Sequence, residues 1–252
     1  MSTIRVNILS NELDRAVNIS VILPIENEMP KDGYKTLYLL NGYTGDDLDW
    51  IHETRVKRIA LEHNLAVIMP AGENSFYIDN PRARRNYAKF IGVELVEVMR
   101  KMFPLSTKRE DTFIAGLSMG GYGALINGLK YHQTFSKIGT FSLALLNEIY
   151  YSHRTDENER QFICQTFGVD VEEIINTDMD PRYLIRKFKG SLPKIYMACG
   201  SDDYALGGNE KIHKVLEEYN VIHDYIIEPG DHDWDFWSSH IEKFITWLEV
   251  NK

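Results

Sequence analysis

The chain has 252 residues, of which 44% are hydrophobic and 26% charged, and its net charge is −9. That length suits a single α/β domain over 1–252, with a core that needs neither disulfides nor metal. The acidic balance argues against a nucleic-acid partner, which calls for a basic footprint, and the two cysteines, Cys164 and Cys199, offer no disulfide framework and no metal-ligand spacing.

In chain order, the first twenty residues carry charges every few positions and no apolar stretch of signal-peptide length. No segment reaches the ~18 apolar residues of a membrane span, so a cytoplasmic location without a membrane partner is expected. "TIRVNIL" and "AVNISVILP" read as strands joined across "SNELDR" in an antiparallel hairpin, and "TLYLL" as a third strand. A charged helix over 51–63 leads to the strand "LAVIMP" at 65–70. The arginine cluster "PRARRNY" from Pro81 reads as the solvated start of a helix over 84–102. The inward face of that helix would be Phe90, Val93, Leu95, Val96, Val98 and Met99. Strands follow at "TFIAG" (112–116), "KIGTFS" (137–142), "KIYMACG" (194–200) and "HDYIIEPG" (223–230), and a helix over 236–250 closes the chain. Cys199 ends one of these apolar runs, as a buried structural thiol would. Strands alternating with helices predict a mostly parallel sheet covered on both faces, preceded by the antiparallel hairpin. Residues 143–192 have helical and loop character without a clear strand, which predicts an inserted lid or pocket wall.

Chemistry concentrates at "FIAGLSMGGYGAL". Gly116-Leu117-Ser118-Met119-Gly120 has the G-x-S-x-G form of a nucleophile elbow, a sharp strand-to-helix turn that exposes the serine oxygen. Side chains at Gly116 and Gly120 would collide with the neighbouring strand and helix, and Gly121 and Gly123 would let the helix lie close to the sheet. The helix N-terminus places partial positive charge where an oxyanion would form.

A serine hydroxyl needs a base, and the base needs an orienting acid, expected in the chain order Ser, Asp/Glu, His on loops beyond later strands. "ACGSDDYALGG" supplies Asp202 and Asp203, and the residues alone leave both open, since the other could cap the following helix. "EPGDHDWDFW" supplies His232. The remaining histidines fall in helical patterns (His52, His63, His132, His213, His240), in the insertion (His153) or at a strand start (His223). Metal readings of "GDHDWD" and of "GDDLDW" at 45–50 lack the further ligands and spacing that such sites need, so no metal and no cofactor are expected.

Five blocks together, "LYLLNGYTGD", "VIMPAGENSFYID", "FIAGLSMGGYGAL", "ACGSDDY" and "PGDHDWDFW", resemble the esterase D-like branch of the α/β-hydrolases. That branch includes tributyrin esterases, S-formylglutathione hydrolases, feruloyl esterases and mycolyltransferases, and the likeness is greatest to bacterial tributyrin esterases. The resemblance implies the α/β-hydrolase fold, Ser118 as nucleophile, Asp203 rather than Asp202 as the acid, and His232 as the base. It further implies an oxyanion hole from the backbone N–H groups of Tyr43 and Met119. Two departures stand out. Asn41 replaces the family's usual histidine before Gly42, which bears on the shape of the oxyanion loop, and Leu143 stands where a glycine is common, which bears on the acyl pocket.

The expected activity is a serine carboxylesterase acting on short acyl esters, acetyl to butyryl. A feruloyl or acetyl-carbohydrate esterase and an S-formylglutathione-type thioesterase are the alternatives, and a non-catalytic binding module is the competing class. Trp50, Tyr77, Trp234 and the insertion's Tyr150 and Tyr151 are candidates to line the cleft, with packing as the competing reading for each. The partner expected is a small-molecule ester, and the insertion's aromatics are compatible with a homo-oligomer.

Overall fold

The computed structural model describes residues 2–145, 161, 164–169, 171–188, 190 and 192–251. Strands β1 (Ser2–Ser10) and β2 (Arg15–Leu23) pair antiparallel along their whole length, from Ser2 opposite Leu23 to Ser10 opposite Arg15. β3 (Lys35–Leu40), β4 (Leu65–Pro70), β7 (Thr112–Leu117), β8 (Lys137–Phe141), β9 (Lys194–Gly200) and β10 (His223–Glu228) complete one sheet. Its order is β1-β2-β4-β3-β7-β8-β9-β10. β2 meets β4 antiparallel, and from β4 to β10 every junction is parallel. β5 (Asp79–Asn80) and β6 (Arg85–Asn86) form a small hairpin outside this sheet.

Central strands are buried on both faces, and alternate side chains enter different cores. Leu37 and Leu39 of β3 join Trp50 of α1 (Asp49–Glu53), Ile59 of α2 (Val56–Glu62) and Phe244 of α9 (Trp234–Val250). Tyr38 and Leu40 point the other way, to Leu95 of α4 (Leu95–Met102), Leu125 of α5 (Met119–Lys130) and Ile212 of α8 (Leu206–Glu218). The sheet is therefore covered by helices on both sides, as the sequence pattern predicts.

Two helices differ from expectation. The one predicted over 51–63 is broken, because Thr54 is extended; its hydroxyl donates to Trp50 O and accepts from Val56 N–H, ending α1 and starting α2. The one predicted over 84–102 begins with α3 (Tyr87–Lys89) and passes through a π-turn at Phe90–Glu94 before α4. The wider turn shifts the helical phase, so Val93 is 44% exposed while Phe90, Leu95, Val96 and Met99 are buried. Arg82, Arg84 and Arg85 are exposed, on a short 3-10 turn and β6 rather than in the helix. Within the insertion, α6 (Val171–Ile174) and α7 (Pro181–Lys187) are helical, while Tyr150, Tyr151 and His153 lie outside the described residues. Among the described residues, no helix is long and apolar enough to cross a membrane.

Candidate active site

The site lies where β7 turns into α5. Ser118 occupies the turn at φ 49°, ψ −115°, a conformation L-residues rarely adopt and one that costs on the order of 1–3 kcal/mol. The surroundings hold it there. Its N–H donates to Phe141 O at 2.9 Å, and its carbonyl accepts from Tyr122 N–H and Ala144 N–H at 3.0 and 3.1 Å. A Cβ on Gly116 would fall 2.4 Å from the Gly120 carbonyl oxygen, and one on Gly120 would fall 2.5 Å from that of Leu40, so neither position tolerates a side chain. Gly121 does bring the helix against the sheet, with a hypothetical Cβ 3.2 Å from Gly116 O. Gly123 does not serve that purpose: a Cβ there would strike the Tyr77 ring at 2.4 Å, so this glycine accommodates an aromatic side chain.

His232, on the loop between β10 and α9, reaches back to the elbow. Its Nε2 lies 2.9 Å from Ser118 Oγ, and its Nδ1 lies 2.9 and 3.0 Å from the two carboxylate oxygens of Asp203. With Nδ1–H donating to the carboxylate, Nε2 carries the lone pair that accepts from the Ser118 hydroxyl. The neighbouring acids of "GDHDWD" have local duties instead: Asp231 accepts from His232 N–H, and Asp233 caps α9 by accepting from Phe236 N–H at 3.0 Å.

Asp203 is 4% exposed, whereas Asp202 is exposed and, among the described residues, its carboxylate accepts from the Ser201 hydroxyl. Burial pushes the Asp203 carboxyl upward, yet hydrogen bonds from His232, from the Ser142 hydroxyl and from Ala205 N–H outweigh it and hold the group below its ordinary range. The Ala205 bond is 2.7 Å. Ser142 in turn accepts from Trp237 Nε1–H at 3.0 Å, and the Trp237 ring meets the His232 imidazole edge-on at 5.0 Å. Cys199 is buried nearby, and burial followed by the Asp203 charge drives its thiol far above the usual range, which leaves it protonated and inert.

The loop after β3 closes the other side. Met119 is the first residue of α5, so its N–H belongs to the turn that has no intrahelical acceptor. Gly42 packs so closely that a Cβ on it would lie 3.9 Å from Ser118 Cβ, which brings the Gly42–Tyr43 backbone alongside the serine. Asn41 fixes this loop from within the core. Its Oδ1 accepts from Gly72 N–H at 3.0 Å and from Tyr77 Oη–H at 2.9 Å, and its Nδ2 donates to Gly42 O at 2.9 Å. The asparagine that departs from the family pattern is thus a clamp on the loop. Leu143 is fully buried in the core and its carbonyl accepts from Asn209 Nδ2.

Two of the candidate cleft residues require correction. Trp50 is 1% exposed and Tyr77 0%, which leaves no surface for a ligand. Trp50 Nε1–H donates to Leu40 O at 3.1 Å and its ring packs on Phe141, while Tyr77 anchors Asn41. Their apolar bodies are worth more inside a core, with the polar atom satisfied, than on a rim. Trp234 is half-buried and packs edge-on against Trp50 and Trp237 at 5.3 and 5.2 Å. Sequence reasoning missed Ser142, Trp237 and Tyr204. The last follows Asp203 directly, and its hydroxyl lies 3.0 Å from His232 Nε2. The one signal available in the sequence was position: Ser142 ends a strand run and Tyr204 adjoins the acid.

A parallel sheet with a strained serine elbow, an imidazole and a buried carboxylate at one rim defines a serine hydrolase of the α/β-hydrolase class. Comparison with known proteins gives the family. Residues 10–247 match the family model described as "Putative esterase", and the chain belongs to this esterase family. It is 38% identical over 262 residues to the acetyl esterase of Caldicellulosiruptor saccharolyticus, covering 98% of each chain. Among solved structures it is similar to the S-formylglutathione hydrolase FrmB of Staphylococcus aureus, at 31% identity and a TM-score of 0.86 with 98% of each chain covered. It is likewise similar to the fluorophosphonate-binding serine hydrolase FphF of the same organism, at 31% identity and a TM-score of 0.88, again over 98% of each chain. The protein is an esterase.

Proposed function

We infer that the protein hydrolyses esters of short acyl groups, acetyl to butyryl, through Ser118, His232 and Asp203. The observation that carries this reading is the unbroken line of hydrogen bonds from Ser118 Oγ to His232 Nε2, 2.9 Å, and from His232 Nδ1 to Asp203, 2.9 Å. Ser118 Oγ attacks the ester carbonyl as its proton passes to Nε2. The Tyr43 and Met119 amides receive the developing oxyanion, each such donor being worth roughly 2.7–4 kcal/mol of barrier. Collapse releases the alcohol with the proton from Nε2, and a water, deprotonated by the same nitrogen, frees the acid. Asp203 keeps the imidazole in the productive tautomer and offsets its positive charge in both half-reactions.

The acyl range rests on the likeness to an acetyl esterase. S-formylglutathione is the second reading, favoured by the likeness to FrmB; its formyl group falls within the same small acyl class. The test is hydrolysis of p-nitrophenyl acetate through octanoate by wild type and Ser118→Ala, with S-formylglutathione assayed alongside. Falling kcat/KM beyond butyrate and a silent Ser118→Ala are expected. Equal rates for the two proteins would remove the serine mechanism, a preference for octanoate would remove the short-acyl reading, and a large advantage for S-formylglutathione over every simple ester would favour the thioester.

A further inference from the structure

His232 Nε2 has two oxygens within hydrogen-bonding distance, Ser118 Oγ at 2.9 Å and Tyr204 Oη at 3.0 Å. The second bears on which esters can react. In acyl transfer the proton that Nε2 takes from Ser118 must next go to the departing alcohol oxygen, which therefore has to come within about 2.6–3.2 Å of Nε2. The water that later attacks the acyl-enzyme meets the same requirement. In the resting site a phenol oxygen already stands at that distance.

The attachment of Tyr204 suits it to yield. Its backbone neighbours are held firmly: the Asp203 side chain is fully enclosed, Ala205 N–H donates to it at 2.7 Å, and Leu206 N–H donates to the Asp203 carbonyl at 3.0 Å. The side chain is different. Tyr204 is 54% exposed, and its ring leans over the His232 imidazole, with centroids 4.4 Å apart and planes at 37°. A fixed backbone carrying a half-solvated ring lets a rotation about χ1 clear the space without disturbing the acid one residue earlier. The phenol stays protonated, since burial first and then the nearby Asp203 charge raise its pKa against the lowering effect of a hydrogen bond with Ser118, so in the free site it competes with the Ser118 hydroxyl for the one lone pair of Nε2.

On the reading of Ser118, His232 and Asp203 given above, we propose that Tyr204 is a specificity-determining gate on the alcohol side of the ester. Its phenol holds the leaving-oxygen position beside His232 Nε2 and must withdraw before the alcohol portion can enter. Small alcohols need only the hydroxyl to move aside, whereas bulky ones need the whole ring displaced. The covalent chemistry is unchanged: the Ser118 Oγ–acyl bond forms, the acyl–alkoxy bond breaks, and the serine proton leaves with the alcohol by way of Nε2. Tyr204 forms no bond to carbon and gains or loses no net proton.

The experiment compares kcat/KM for methyl, phenyl and 1-naphthyl acetate, and for 1-naphthyl butyrate, in wild type, Tyr204→Ala, Tyr204→Phe and Ser118→Ala. Intrinsic ester reactivity cancels when each ratio is referred to wild type. Tyr204→Ala is expected to raise the naphthyl-to-methyl ratio by about tenfold or more, the scale on which pockets discriminate bulk. Tyr204→Phe, which keeps the ring but releases it from Nε2, should raise kcat/KM for methyl and naphthyl acetate alike by about threefold, as expected for one lost hydrogen bond, and leave their ratio within about twofold of wild type. Both should leave the acetate-to-butyrate ratio at fixed alcohol within about twofold of wild type. An alcohol ratio unmoved in Tyr204→Ala, or an acyl ratio that shifts as much, overturns the gate, and if Tyr204→Ala does not fold, a kcat/KM in Tyr204→Phe no higher than wild type for either acetate overturns it. Activity in Ser118→Ala would instead bring down the serine reading, so the two failures are distinguishable.

Discussion

Replacing Asp203 with asparagine removes one charge from the site and little volume. The carboxylate accepts from His232 Nδ1–H through both oxygens at 2.9 and 3.0 Å, from Ala205 N–H at 2.7 Å and from the Ser142 hydroxyl. An amide has one acceptor oxygen and a pair of donors, so at least one of these donors faces an N–H₂ group, and the imidazole is drawn toward the tautomer with hydrogen on Nε2. That tautomer cannot take the serine proton. The charge itself matters as well. An imidazolium and a carboxylate about 3 Å apart interact by about 5 kcal/mol at an effective dielectric of ~20. Because 1.36 kcal/mol is tenfold in rate, the expected loss in kcat is between three and four powers of ten, the smaller figure allowing for the 14% exposure of the His232 side chain. Stopped-flow hydrolysis of p-nitrophenyl acetate measures it, with the exposed Asp202→Asn as the control that should stay within about threefold of wild type. If Asp203→Asn keeps a tenth of the activity or more, or if the larger loss falls on Asp202→Asn, the carboxylate at 203 does not orient the base and the assignment fails.

Three further outcomes are expected. Ser142→Ala deletes one donor to the Asp203 carboxylate and the acceptor for Trp237 Nε1, and kcat should fall about tenfold with KM within about twofold; an unchanged kcat would limit Ser142 to packing. Trp50→Phe should cost about 1–3 kcal/mol in denaturant unfolding, through the lost Leu40 bond and lost volume, and leave KM for short esters unchanged. A large KM effect without destabilisation would return Trp50 to the cleft. His240, fully buried and bonded to Tyr196 Oη at 3.0 Å, is depressed from 6.5 to about 4, by burial first and then by Lys243. Its folded pKa lies below its unfolded one, so the unfolded chain binds the extra proton first as pH falls. This contribution to stability is complete above about pH 6.5 and declines toward pH 4 by about 3 kcal/mol. His240→Gln, which retains a partner for Tyr196, should flatten the pH dependence of the unfolding midpoint in that window, and an unaltered slope would contradict the assignment.

Much of the fold was legible in the chain because it rests on local patterns. "LAVIMP" and, after Lys194, "IYMACG" are apolar at every position over six residues, a length and pattern that suit a strand buried on both faces, so β4 and β9 occupy the predicted residues. Gly116 and Gly120 flank Ser118 because backbone atoms lie where their side chains would be, a constraint that leaves its mark in the sequence as glycine itself. The break at Thr54 and the π-turn at Phe90–Glu94 left no such mark, since each depends on a few hydrogen bonds that many sequences could make.

What the sequence by itself determined is which residue types stand at the carboxyl ends of β7, β9 and β10, because strand ends and reactive loops follow from apolar periodicity and glycine placement. What the tertiary structure alone decided is how those ends meet. Asp203 and Asp202 are chemically identical and adjacent, and only the path of the chain after β9 turns one inward to His232 and the other to water. The same holds for Trp50 and Tyr77, whose amphipathic side chains suit a cleft or a core equally until the packing around β3 encloses them. Local composition selects conformations over a few residues, whereas a contact between positions 118 and 232 exists only once the sheet has aligned its strands.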